Sequence, residues 1–189
     1  MNNIPTVTKN LLIINILVFA TDYILKTRYG IDLDNLFGLH FFLSSDFHLW
    51  QPFTYMFMHG GFEHVFFNMF AVWMFGRIVE QIWGPKRYLF YYLVCGLGAG
   101  LCQELLMLFN YLNLTSSMSP EAVAMVLREG GGVLQMHMNY TDVQMAGLNI
   151  AVNLPTVGAS GAVYGILLAF GMLFPNEQMF IFPLPFPIK

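Results

Sequence analysis

The chain has 189 residues, 57% of them apolar and 10% charged, with a formal net charge of −3. A soluble domain runs at about 45–50% apolar and about 25% charged, so this composition excludes disorder and argues against a simple water-soluble globule. With 8 Lys and Arg against 11 Asp and Glu, it also lacks the basic footprint of a nucleic-acid binder, and the bilayer becomes the solvent to reason with.

A helix crosses the hydrocarbon core with about 20 mostly apolar residues. The first predicted span runs from about Leu11 to Leu25 and carries Asn15 and Asp22. Only Lys9 precedes it and no small-residue cleavage site follows, so it is not read as a signal peptide. Residues 27–58 form a long mixed loop. The second span runs from about Gly61 to Trp83 and ends in the tight basic turn Gly84-Pro85-Lys86-Arg87. The third runs from about Tyr88 to Leu112. It holds Cys95 and Cys102, too far apart along a helix for a disulfide. Its Gly96 and Gly100 are read as helix-packing small residues.

Residues 113–155 read as a polar insertion outside the membrane. In it, Ser119-Pro120-Glu121 is an N-cap, a first-turn Pro and a first-turn acid. That helix is predicted to stop at Gly130-Gly131-Gly132. N-x-T sequons stand at Asn113 and Asn139. The fourth span runs from about Thr156 to Phe174. Pro175, Pro183, Pro185 and Pro187 exclude a helix interior after it. With four spans, Lys9, Arg77, Lys86, Arg87 and Lys189 fall on one side, and Lys26, Arg28 and Arg128 on the other. The positive-inside rule then places the N-terminus in the cytoplasm.

Two stretches carry polar groups where lipid penalises them. The second span opens with HGGFEHVFFN. His64 and Asn68 share a helix face, and His59 lies in the glycine-rich approach above them. An amide or imidazole in a span is a functional candidate by default. Interhelical packing glue is the plainer alternative. Metal binding is disfavoured, since His59 and His64 diverge on a helix and no carboxylate–His cluster completes a tetrahedral set. The fourth span opens with Gly158-Ala159-Ser160-Gly161, with Tyr164 one turn on. Glycines beside Ser160 let another backbone come close. A transporter or channel reading fits less well, because Asp22, Glu63, Glu80 and Glu104 lie near predicted span ends.

Together, HGGFEHVFFN and GASGAVYG resemble the rhomboid intramembrane serine proteases. The lead-in WQPFTYMFMH, the segment GRIVEQIWG and the third span GPKRYLFYYLVCGLGAG also fit. The resemblance covers roughly residues 5–112 and 156–189, with 113–155 outside any motif. It implies an all-α polytopic membrane helix bundle, with four transmembrane helices present of an expected six, as a single membrane domain over 1–189.

The resemblance also implies roles. Ser160 is the nucleophile. His64 and Asn68 hold the oxyanion with the Ser160 N–H, and His59 belongs to the same polar cluster. Tyr164 supports the catalytic histidine, and Gly158 and Gly161 pack closely around the serine. Substrates are single-pass transmembrane proteins in the bilayer, with no metal, cofactor or nucleic acid, and the implied location is a bacterial inner membrane. The family's general base stands in an A-H-x-G-G-like motif on the sixth span. None of His40, His48, His59, His64 and His137 lies in such a motif. The chain therefore reads as the first two-thirds of a rhomboid, inactive on its own. The alternative is a catalytically inactive, client-binding relative.

Overall fold

A computed structural model describes residues 4–176. Pro183, Pro185 and Pro187 lie outside the described residues. The described residues fold as helices, with one isolated strand-like pair, Leu39 with Thr156.

Among the described residues three helices are long and apolar enough to cross a membrane: α1 (Thr6–Tyr29), the composite helix Phe62–Trp83, and α6 (Pro85–Thr115). The first is longer than the sequence pattern suggests. Its extra turns form because its first amides have a partner. Glu80 accepts Val7 N–H at 2.9 Å, Thr8 N–H at 2.7 Å and the Thr8 hydroxyl at 2.7 Å. A carboxylate from another helix thereby does the work of an N-cap. At the other end Gly30 takes a left-handed conformation, φ 68°, and closes α1. Asp22, buried near that end, accepts the Leu33 N–H at 2.9 Å and docks α2 (Leu33–Phe37).

The predicted first loop is partly helical. After α2 it forms α3 (Gln51–Thr54) and a 3-10 turn, Tyr55–Phe57. Gln51 is fully buried and organises it. Its carbonyl oxygen accepts His40 N–H at 3.3 Å and His48 N–H at 3.1 Å, and its amide nitrogen donates to Asp46 O at 2.8 Å. The second span is three segments in one: α4 (Phe62–Ala71), a π-helical turn (Val72–Gly76) and α5 (Arg77–Trp83). Gly84 and Pro85 then end one helix and start the next, as predicted.

The insertion departs from expectation. Helix α6 has 31 residues, about 46 Å at ~1.5 Å per residue, well beyond a hydrocarbon core of about 30 Å. It ends at Thr115, inside the region assigned to the insertion. Ser119 caps α7 as predicted, accepting Ala122 N–H at 3.2 Å. But α7 (Pro120–Gln135) runs straight through the three glycines. Gly130 and Gly131 serve close approach here, not termination. A Cβ on Gly130 would collide with the Asn149 and Asn153 amides, and one on Gly131 with the Asp46 carboxylate. An eighth helix, α8 (Val143–Asn153), returns along α7 and α6. It leads into α9 (Ser160–Leu173), whose 14 residues span about 21 Å at ~1.5 Å rise.

Two cores result. Leu39, Tyr55, Met56, Val65, Val72, Tyr92, Ala162 and Ile166 belong to the one between the spans. Phe41, Met107, Val126, Leu148 and Val152 fill a second beneath the α7–α8 hairpin. The second core joins the hairpin to the first loop, and polar bonds reinforce it. Asn153 accepts the Ser44 hydroxyl at 2.8 Å and donates to Val126 O at 3.0 Å and Asn149 Oδ1 at 2.9 Å. Asn139, of the second sequon, is occupied in the same network, accepting from Asn149 at 3.0 Å and donating to Ala146 O at 3.2 Å.

Candidate functional site

The start of α9 and the start of α4 meet. Gly158 makes that approach possible. Its φ of +127° is a conformation that residues with a side chain rarely adopt. A Cβ there would stand 2.6 Å from both Cε1 and Nε2 of His64, and 3.6 Å from the Ser160 hydroxyl oxygen. The His64 ring and the Ser160 hydroxyl therefore flank one point that only a glycine leaves open.

Three backbone bonds hold this loop. Leu39 and Thr156 exchange N–H···O bonds of 2.9 and 2.8 Å, and Gly158 N–H donates to Tyr55 O at 2.9 Å. Helix α9 then begins at Ser160, and its first intrahelical bond runs from Val163 N–H to Ala159 O. The amides of Ser160, Gly161 and Ala162 have no helical acceptor, and the positive end of the helix dipole lies at the serine.

His59 stands in the approach to α4, and His64 and Asn68 stand on it. The rings of His59 and His64 sit 5.2 Å apart, edge to face. His59 is 2% exposed; its Nδ1 lies 3.3 Å from Phe57 O and its Nε2 has no partner among the described residues. Burial, and next the neighbouring His64, lower its pKa to about 4, so it is neutral at physiological pH. Asn68, one turn beyond His64, is buried, with Nδ2 unpartnered among the described residues. A buried donor without an acceptor is costly, and the Asn68 Nδ2, on the same helix face as His64, is free among the described residues to serve a group that the protein itself does not supply.

The remaining expected site residues divide. Gly161 faces Ala99 of α6 and lies near Tyr55, so it serves close helix approach. Tyr164 is 72% exposed and is not part of the cluster among the described residues. Gly96 and Gly100 do not receive another span. Their open faces hold Met56 and the Tyr55 ring from the first loop. Tyr55 itself stood in the sequence only as part of a lead-in motif, because its hold on Gly158 runs through a backbone carbonyl. Among the described residues no cluster of three His, Cys, Asp or Glu side chains could hold a metal ion.

Long apolar helices around a polar cluster define an integral, multi-pass membrane protein. The Rhomboid domain profile matches residues 46–188, and the chain belongs to the rhomboid family. The matched stretch takes in the insertion, which carries no recognisable motif, and begins after α1 and α2. A search of curated proteins returns no match.

Proposed function

We propose that this protein is an intramembrane serine endopeptidase that cuts single-pass transmembrane substrates in or near the bilayer. The observation that carries the reading is the Gly158 pinch, with the Ser160 hydroxyl on one side and the His64 ring on the other. Ser160 Oγ attacks the scissile carbonyl carbon. The developing oxyanion takes hydrogen bonds from the Ser160 N–H, from Asn68 Nδ2 and from His64. As the tetrahedral intermediate collapses, the C–N bond breaks and the proton lost by Oγ reaches the leaving amine. Water then hydrolyses the acyl-enzyme. The histidine that shuttles the proton is, on the family's pattern, the one of the A-H-x-G-G-like motif. His64 is assigned to the oxyanion instead.

In this reading Tyr164 packs against that histidine, which accords with its exposed ring. The N-terminus faces the cytoplasm, the membrane is a bacterial inner membrane, and no metal or cofactor takes part. The site opens on the side of the first loop and the α7–α8 hairpin.

The experiment is labelling of the native full-length gene product, in membranes, with a fluorophosphonate probe. Labelling that vanishes in Ser160→Ala and falls in Asn68→Ala is the expected result. Binding of a single-pass substrate without labelling would instead establish a client-binding protein.

A further inference from the structure

The residue that holds the serine loop in place comes from the first loop. Tyr55 is 4% exposed and touches three separate elements. Its carbonyl accepts the Gly158 N–H at 2.9 Å. Its hydroxyl donates to Gly96 O on α6 at 2.6 Å. Its ring fills the notch left by Gly100, where a Cβ would stand 3.1 Å from Cε1, and its hydroxyl lies 3.7 Å from where a Gly161 Cβ would be. A side chain locked against α6 thus fixes the height of a carbonyl, and that carbonyl fixes Gly158.

Gly158 needs such a clamp. Glycine moves freely between positive and negative φ, so what fixes Gly158 at +127° is its surroundings. The Leu39–Thr156 pair holds the loop two residues earlier. Between that pair and the first bond of α9, the Gly158–Tyr55 bond is the one backbone tie in the loop among the described residues.

We propose that Tyr55 is a positioning residue for Ser160: wedged between α6 and α9, it sets the serine loop against His64 through the Gly158 amide. The proposal rests on the reading of Ser160 as nucleophile and adds to it the part that aims the hydroxyl. Tyr55 touches neither substrate nor reacting atoms. It acts on geometry, and a misplacement of about 1 Å at a reacting centre costs on the order of 10²-fold in rate.

Tyr55→Phe keeps the ring and removes the hydroxyl anchor. Amide hydrogen exchange of the peptide covering 154–160 is expected to quicken about tenfold, the worth of one net hydrogen bond. Exchange in α1 stays unchanged. On a single-pass model substrate, kcat falls about tenfold while KM stays within about twofold, the signature of a lost alignment, not a lost binding contact. Gly100→Ala is the second variant. It presses on the ring from α6, away from the serine, and is expected to raise exchange in 154–160 in the same way. Gly98→Ala, with nothing within 4 Å of its Cβ, leaves that peptide unchanged.

Unchanged exchange over 154–160 in folded Tyr55→Phe and Gly100→Ala overturns the proposal, as does a rise in exchange spread evenly over the chain. If the probe labels Ser160 equally in wild type and Tyr55→Phe, the nucleophile reading stands and the positioning role falls. If exchange quickens locally but Ser160 never labels, the anchor stands and the nucleophile reading falls.

Discussion

Alanine at Gly158 meets two penalties at once. The backbone must keep a φ of +127° that a side chain disfavours, which costs about 1–3 kcal/mol. The new methyl must also displace the His64 ring, whose Cε1 and Nε2 lie 2.6 Å from its position. Overpacking of that kind adds about 1–3 kcal/mol. Together the expected loss is about 2–6 kcal/mol, a large part of the ~5–15 kcal/mol that stabilises a typical domain. Gly98 supplies the matched control. It lies within α6 with nothing within 4 Å of its Cβ, so alanine there gains up to ~0.5–1 kcal/mol of helix stability. The assay is reversible unfolding of both variants in one detergent, with fluorophosphonate labelling measured in parallel. The reasoning is refuted if Gly158→Ala unfolds and labels like the wild type, because His64 and Ser160 would then not be pinned across that glycine.

Asn68→Ala should lower the labelling and cleavage rates by about 10²-fold, the lower range for one oxyanion donor. Stability should shift by no more than about 1 kcal/mol, since Nδ2 has no partner to lose among the described residues; a stability collapse with an unchanged rate would make Asn68 packing glue. His59 should make the fold acid-labile. Its folded pKa is about 4 against an unfolded value near 6.5, so the unfolded chain binds more protons between the two. Melting points should hold above about pH 6.5, fall as the pH drops towards about 4, and fall less steeply in His59→Gln. Asn153→Ala takes the acceptor from the Ser44 hydroxyl and a donor from Asn149 Oδ1, while Val126 O keeps its place in the ladder of α7, and should lower the unfolding free energy by about 2–6 kcal/mol at ~1–3 kcal/mol per buried group left unpaired. Within the glycine triplet, thermal unfolding should separate Gly131→Ala, destabilised by the Asp46 carboxylate, from Gly132→Ala, which has open space and gains about 0.5–1 kcal/mol.

The spans were legible because lipid demands long apolar runs, and the Gly84-Pro85 and Ser119-Pro120 boundaries because each pair performs one local task. Gly130 to Gly132 misled because glycine has two uses, breaking a helix and admitting a neighbour. The neighbours that decide the matter, Asp46, Asn149 and Asn153, are distant in sequence or belong to a helix with no strong pattern. At the site, the His64–Asn68 spacing placed two polar groups on one face, and the glycine before Ser160 signalled a close approach. Neither the left-handed backbone at Gly158 nor the carbonyl of Tyr55 leaves a mark on residue identity. Tyr164 could not be placed from the sequence beyond its helix face, since the ring finds no partner among the described residues.

The Glu80 carboxylate also constrains how the chain is assembled. Its three donors all belong to Val7 and Thr8, so the second span enters lipid carrying an acid whose partners were synthesised first. A bare carboxylate in hydrocarbon is expensive, and the free amides at the start of α1 are costly as well. Each segment is poorly inserted alone and settled once the other arrives. Docking of residues 7–8 onto Glu80 satisfies both groups at once. A chain shortened past Thr8 should therefore unfold more readily, although every residue around Ser160 would still be present.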